Sequence, residues 1–202
     1  SIDPPAGTGL ADDHPAVSPD GRTVVLTAVD KAGNAQLWRR SLDDPHAVSF
    51  AATDANAYPF WSPDGRFVAF GAKGKLMKVA LEGGATETLA DVDLFKGGTW
   101  SRDGTILLAP GSSSGIMQMP ASGGTARPVT ALDASRLEYS HRFPQFLPDG
   151  RRFLFLVVSP KDDVRGIYLG SIDSKERVRL RGETSAPVPA LGSRFLFVRE
   201  AD

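Results

Sequence analysis

The segment PFWSPDGRFVAF, residues 59–70, is the most informative part of this 202-residue chain about its fold. A short extended run ends at Trp61, Asp64 and Gly65 supply a turn, and an apolar run begins at Phe67. Aspartate can accept a hydrogen bond from its own downstream backbone, and glycine tolerates the positive φ of a tight hairpin. The stretch therefore predicts two antiparallel strands joined by a short turn.

This turn recurs three more times along the chain. We expect a structural role for four Asp-Gly pairs: Asp20-Gly21, Asp64-Gly65, Asp103-Gly104 and Asp149-Gly150. The aspartates are 44, 39 and 46 residues apart, and an apolar run follows each of them. A period of about 40–45 residues with strand-like content is typical of a β-propeller with four-stranded blades. We predict an all-β fold, a β-propeller of four-stranded antiparallel blades, without a helix longer than about two turns.

The repeat divides one domain, residues 1–202, into about four complete blades and a partial fifth. The blades are expected at about 11–50, 55–90, 96–130 and 141–180, and the partial blade at 186–200 with an N-terminal strand at 1–5. The apolar strand at 195–198 has no third strand of its own to pair with. Both termini could close a small ring through one mixed blade, or two chains could join as a homo-oligomer, which we favour. Because the chain starts without methionine and stops inside a repeat, we expect a piece of a longer protein.

Large apolar side chains stand three positions before each turn aspartate. They are Val17, Trp61, Trp100 and Phe146. Their equivalent placement in every unit predicts packing between neighbouring blades, because burial of large apolar area is the commonest use of such side chains.

Composition excludes several classes of function. The net charge is −1, from 23 basic and 24 acidic residues, so the chain lacks the basic excess of a nucleic-acid-binding protein. No apolar run reaches the roughly 18 residues that span a bilayer, and we expect no membrane contact by this chain. The absence of cysteine excludes disulfides and thiol catalysis.

Motifs that would indicate catalysis are incomplete. The segment 111–115 matches the Gly-x-Ser-x-Gly nucleophile elbow, but a strand rather than a helix follows it. The pair His141-Arg142 begins like a kinase catalytic loop, but Phe143 stands where the aspartate is required. We expect His14, His46 and His141 to be exposed loop residues, since their spacing fits no metal site. We therefore predict no catalytic residue, no metal and no cofactor.

The face that carries the second-to-third loops of the blades and the loops between blades is the expected ligand face. The Asp-Gly and Gly-Gly turns at one end of the blades are too short to shape a site, whereas the loops at the other end are longer and varied. The longest, 131–142, carries an aromatic residue, a histidine and both signs of charge. The candidate ligand-binding residues are Tyr58, Phe95, Lys96, Glu138, Tyr139, His141 and Arg142.

The stretch at 59–70 resembles the TolB-type (PD40, WD40-like) propeller repeat, which covers residues 11–180. The segments 14–23 and 141–150 are most similar to the C-terminal propellers of bacterial membrane-spanning Ser/Thr protein kinases. This resemblance implies an extracytoplasmic (periplasmic or cell-surface) sensor or interaction domain whose opening residues complete the last blade. Arg102 replaces the usual proline of the third turn, and the chain contains no kinase part.

Three functions follow as hypotheses. The first is a non-enzymatic propeller that binds a protein or a small molecule, as the sensor of a receptor-type kinase. The alternative is the accessory propeller of a prolyl-oligopeptidase-type peptidase. The third is a catalytic propeller acting on sugars or lactones, which would need acidic or metal-binding residues on the innermost strands. Those strands offer few such residues.

Overall fold

The computed structural model describes residues 4–11, 14–44, 46–54, 57–182, 185–190 and 194–196. The chain forms two compact units, residues 1–95 and 96–202. All strand pairs in the described residues are antiparallel, and the one helical element there is a 3₁₀ turn, Ala134–Arg136. No described helix has the length and apolarity that a membrane crossing would require.

The first blade of unit 1 is a five-stranded sheet. Its strands are β1 (Thr8–Leu10), β2 (Ala16–Val17), β3 (Thr23–Asp30), β4 (Ala35–Ser41) and β5 (Ala47–Thr53). The innermost strand is split, because β1 pairs with the second half of β3 and β2 pairs with the first half. Strand β1 was not predicted, because its three residues carry no apolar alternation. Residues 4 and 5 of the expected N-terminal strand lie outside any strand, and residues 1–3 lie outside the described residues.

The second blade of unit 1 has four strands in sequential order. They are β6 (Phe60–Trp61), β7 (Phe67–Ala72), β8 (Lys75–Ala80) and β9 (Glu87–Asp91). The apolar core of unit 1 lies between the two blades, where Val25 and Leu37 of the first pack with Val68 and Phe70 of the second. Trp61 adds a polar tie, since its indole Nε1 donates to the Ala16 carbonyl at 3.0 Å.

Unit 2 repeats this plan with two four-stranded blades and a short hairpin. The third blade comprises β10 (Gly98–Trp100), β11 (Thr105–Leu108), β12 (Met117–Pro120) and β13 (Arg127–Pro128). The fourth comprises β14 (Ser140–Phe146), β15 (Arg152–Val158), β16 (Gly166–Ser171) and β17 (Ser174–Arg181). The hairpin joins β18 (Val188–Ala190) to β19 (Arg194–Leu196) within the range expected for the partial fifth blade. Residues 191–193 and 197–200 of that range lie outside the described residues.

Inter-blade packing also builds the core of unit 2. Leu107 and Ile116 of the third blade lie in one buried cluster with Phe153, Phe155 and Tyr168 of the fourth. The apolar runs after the turns are buried on both faces, which explains why they do not alternate with polar residues. The predicted all-β propeller with four-stranded antiparallel blades is confirmed.

The four positions before the turns differ in burial. Trp61 is buried, Phe146 is half-buried against the core of unit 2, and Trp100 is half-buried. The expectation was wrong for Val17, which is 57% exposed. Its strand, β2, is two residues long and contributes only Ala16 to the packing against the second blade.

The aspartates hold the turns through their carboxylates. Ser18 Oγ donates to Asp20 at 2.5 Å, and the Arg22 backbone N–H donates to the same oxygen at 3.1 Å. In the fourth turn Leu147 replaces the serine, and the backbone N–H groups of the two residues after Gly150 donate to Asp149, each at 2.9 Å. These two hydrogen bonds are the main cause that lowers the pKa of Asp149 to about 2. The glycines have φ between 66° and 82°, where a side chain is strained: Gly21, Gly65, Gly104 and Gly150.

Candidate binding surface at the ends of the innermost strands

One backbone position repeats at the loop end of the innermost strands. It lies six residues before each turn aspartate, and we call its occupants the rim residues: His14, Tyr58, Gly97 and Phe143. Three of them have left-handed backbone, with φ of 45° at Tyr58, 91° at Gly97 and 52° at Phe143. Left-handed backbone is rare for non-glycine residues, and in strands it interrupts pairing and redirects the side chain. The pairing of β14 with β15 accordingly shifts register between Arg142 and Gln145.

The rim of unit 1 is aromatic. The His14 and Tyr58 rings lie 6.0 Å apart between centroids, and Tyr58 meets Phe95 edge-on at 6.5 Å. Phe95 is buried, and it packs so closely on Gly71 that a Cβ there would lie 2.9 Å from its ring. The buried Phe95 ring therefore packs against the Tyr58 ring and supports it. His14 is exposed and Tyr58 half-buried, so these two side chains form the accessible part.

The rim of unit 2 combines an aromatic ring with two cations. The Phe143 backbone N–H donates to the Lys96 carbonyl at 2.9 Å, which joins the entries of the third and fourth blades. The Phe143 ring lies on Gly97, where a Cβ would be 3.0 Å from it. Lys96 and Arg142 flank this contact, and both are half-buried. Burial and, second, the neighbouring Arg142 cation lower the pKa of Lys96.

Two predicted ligand-binding residues lie inside unit 2 instead of on its surface. The side chains of Glu138 and His141 are both fully buried. Arg177 Nη2 donates to both Glu138 carboxylate oxygens, at 2.8 and 2.9 Å, and the Asp133 backbone N–H donates to Oε2 at 2.9 Å. The expectation that His141 is an exposed loop residue is wrong, because β14 already begins at Ser140 and carries it into the core.

The protonation of His141 follows from its partners. Arg177 Nη1 donates to His141 Nε2 at 2.9 Å, so that nitrogen carries the lone pair. The ring proton is therefore on Nδ1, 2.7 Å from Thr130 Oγ1. Burial and then the Arg177 charge lower the pKa of His141 to about 4, against the opposite effect of Glu138. A neutral histidine and an ion pair thus tie the 131–139 loop to β17.

The structure places the seven candidate residues in three environments. Tyr139 is 54% exposed, at the end of the loop that the buried network holds. Tyr58, Lys96 and Arg142 are half-buried, and the remaining three are buried: Phe95, Glu138 and His141. Side chains of the first two groups can contact a ligand directly, whereas the third group supports the surface.

A cavity on the first blade was not predicted from the sequence. It measures about 460 Å³ and is lined by the following residues: Pro4, Pro5, Ala6, Trp38, Arg40, His46 and Ala47. The Trp38 indole N–H is a buried donor without a hydrogen-bond partner among the described residues. The alternation along β4 puts Trp38 and Arg40 on one face, which the sequence could have indicated. The N-terminal segment joins them only through folding.

The nucleophile-like segment has a structural explanation. Ser113 is exposed, and Ser114 Oγ bonds within its own loop, to the Gly111 carbonyl at 3.1 Å. At Gly115 a Cβ would lie 2.2 Å from the Thr130 carbonyl oxygen, so the close approach of the neighbouring backbone requires glycine. Among the described residues, no group of three or more His, Cys, Asp or Glu side chains is arranged to hold a metal ion.

No known protein family matches the sequence, and no curated protein matches it either. Solved structures do resemble the fold. TolB from Acinetobacter baumannii superposes with a TM-score of 0.71 at 14% identity, over 86% of this chain and 44% of that one. A putative TolB from Agrobacterium tumefaciens has a TM-score of 0.71 at 16% identity, over 88% of this chain and 67% of that one. A mutant puromycin hydrolase has a TM-score of 0.60 at 17% identity, over 91% of this chain and 32% of that one.

These similarities show a TolB-like β-propeller fold. At 14–17% identity they concern the fold alone. The chain spans less than half of the first of these proteins and about two thirds of the second.

Proposed function

We propose that this chain is a non-enzymatic binding propeller in which each unit contacts ligand through its own rim residues and their neighbours. The accessible contact groups are His14 and Tyr58 in unit 1, and Lys96, Arg142 and Phe143 in unit 2. Tyr139 extends the same end of the fourth blade.

One observation carries this proposal: the left-handed backbone at three of the four rim residues, Tyr58, Gly97 and Phe143. Backbone strain in non-glycine residues persists where the surrounding structure holds it, and it is common at binding sites. Here the scaffold repeats while the side chains differ, from histidine and tyrosine in unit 1 to glycine and phenylalanine in unit 2. Varied side chains on loops that a rigid scaffold positions are typical of ligand recognition.

The absence of catalysis is part of the proposal. His141, whose pKa is lowered to about 4, is fully buried and paired, so it cannot serve as a base for an external substrate. Ser113 has no hydrogen bond to a histidine in the described part of the chain. A nucleophile needs such a base within hydrogen-bond reach.

The finer assignment is to an extracytoplasmic sensor or interaction domain of a bacterial receptor-type Ser/Thr kinase. This assignment is supported by the resemblance of segments 14–23 and 141–150 to the C-terminal propellers of bacterial membrane-spanning Ser/Thr protein kinases. Sequencing the gene upstream of this segment tests it. A kinase domain and a membrane helix there would support it. A hydrolase domain adjoining the propeller would instead favour the accessory propeller of a prolyl-oligopeptidase-type peptidase.

Thermal-shift screening tests the binding function. The purified chain is scanned against short peptides and small metabolites, since a ligand that binds the folded state raises the midpoint of unfolding. We expect stabilising ligands whose effect is lost in Tyr58→Ala or Arg142→Ala. The effect should persist in Arg127→Ala, a control on the exposed outer strand of the third blade.

Two results would contradict the proposal. One is a set of ligands whose stabilisation is indifferent to both rim variants. The other is esterase or peptidase activity of the chain that disappears in Ser113→Ala.

A further inference from the structure

We propose that Lys96 and Arg142 form a recognition site for a doubly charged anionic group, a phosphate or a pair of carboxylates. This inference rests on the proposed function, because it names the ligand class for the rim of unit 2. It follows from the position of the two cations, their burial and the partners already present around them.

The backbone holds the two cations side by side. The Phe143 N–H bond to the Lys96 carbonyl, at 2.9 Å, places the residue next to Phe143 beside the entry of the third blade. That residue is Arg142. A second link, from the Phe146 N–H to Thr99 Oγ1 at 3.3 Å, holds β14 against β10 further along. Arg142 lies in β14, whereas Lys96 lies two residues before β10, and the Phe143–Lys96 backbone hydrogen bond fixes its position.

The charges of these two side chains repel each other. The lowered pKa of Lys96 has burial as its largest cause and the Arg142 cation as its second. An anion placed between two half-buried cations is attracted by both of them and offsets their mutual repulsion. A group with two negative charges does so better than a monoanion.

Arg142 retains hydrogen-bonding capacity for such a group. Its Nε donates to Ser140 Oγ at 3.1 Å, and its two Nη groups have no partner in the part of the chain that the structure describes. A guanidinium presents such donors in a planar fork that matches carboxylate and phosphate oxygens. The Glu138 carboxylate, four residues before Arg142, already accepts hydrogen bonds from Arg177 and from the Asp133 backbone, so its oxygens are used within the loop network.

The neighbouring Phe143 ring supplies an apolar wall. It is half-buried on Gly97, which leaves part of the ring accessible beside the cations. The site thus suits an anionic group attached to an apolar body, and the charged group determines the specificity.

Calorimetric titration with simple anions tests the inference. The probes are inorganic phosphate and succinate, with acetate as the monoanion, all at matched ionic strength. We expect saturable binding of phosphate or succinate at least tenfold tighter than that of acetate. Lys96→Met and Arg142→Gln should each weaken it at least tenfold. The double variant Arg102→Gln/Lys175→Met, which removes two exposed cations of unit 2, should bind like the wild type.

Amide chemical shifts of the wild-type chain give a second measurement that needs no variant. Phosphate or succinate should move the signals of Gly97 and Phe143 more than those of the Asp103-Gly104 turn. Shifts spread evenly over the basic residues, or equal weakening in the rim and control variants, would overturn the anion site. If the thermal-shift screen still yielded neutral ligands that depend on Tyr58, the binding function would stand without it.

Discussion

Acid should weaken the fold through one residue, His141. In the folded chain its imidazole is neutral, because it is buried and accepts a hydrogen bond from the Arg177 guanidinium. In the unfolded chain it has the ordinary histidine pKa of about 6.5. The folded pKa is the lower of the two, so the unfolded chain binds the proton more tightly. The free energy of unfolding therefore falls as the pH drops from about 6.5 towards 4.

The two pKa values set the size of the effect. With a folded pKa of about 4, the titration of His141 alone removes about 2 kcal/mol of stability between pH 7 and pH 5. Replacing the histidine with glutamine abolishes this contribution. His141→Gln should be less stable than the wild type at pH 7, because it disturbs the hydrogen bonds of the network. Its loss of stability from pH 7 to pH 5 should be about 2 kcal/mol smaller.

Urea denaturation followed by tryptophan fluorescence at the two pH values measures this difference. His46→Gln is the matched control, since it removes a histidine whose side chain is 86% exposed. It should lose as much stability as the wild type over the same range. If His141→Gln also lost as much as the wild type, the buried neutral histidine would be refuted.

Three further predictions concern packing, charge and assembly. Arg177→Met should lower the free energy of unfolding, measured by urea denaturation, by about 3–5 kcal/mol, because it leaves the Glu138 carboxylate buried without its cation. The double variant with Glu138→Gln should recover part of this free energy. Additive losses in the two single variants would show that the two groups are not coupled. Gly166→Ala should prevent stable folding, since a Cβ there would lie 2.0 Å from the Arg181 carbonyl oxygen. In Gly104→Ala the added Cβ has no atom within 4 Å, so this variant should lose only the roughly 1 kcal/mol of stability that an unfavourable φ costs. Equal midpoints of the two variants in a thermal melt would contradict this prediction. The chain should self-associate through the two-stranded β18–β19 sheet, and a monomer mass by light scattering at micromolar and higher concentration would refute that expectation.

The repeated turn determines most of the fold. An Asp-Gly turn and the apolar run after it are local signals, since carboxylate, turn backbone and glycine lie within a few residues. Four of them at a regular interval predicted four blades, and the apolar runs after them form β3, β7, β11 and β15. The sequence did not predict β1 or the exposure of Val17, because both belong to very short strands. Two or three residues carry no period, and their pairing depends on the neighbouring β3.

The candidate site could be predicted less completely from the sequence. The expected ligand face rested on the contrast between varied loops and repeated turns, and it stays a prediction. The sequence could not separate Glu138 and His141, which the core encloses, from Tyr139 and Arg142, which remain accessible. That distinction depends on Arg177, which lies 36 residues after His141 on the outermost strand of the same blade. Burial and pairing across such a separation are properties of the packed blade.

The repeat, the turns and the strand order of the second, third and fourth blades could be predicted from the chain alone, because these depend on neighbouring residues. The contacts between side chains of different blades depend on the folded packing and could not be predicted. The His14–Tyr58 ring pair, the approach of Phe143 to Gly97 and the neighbouring cations Lys96 and Arg142 each join residues from different blades. Such contacts are set by the packing of one sheet on the next, and the function proposed for this chain depends on them.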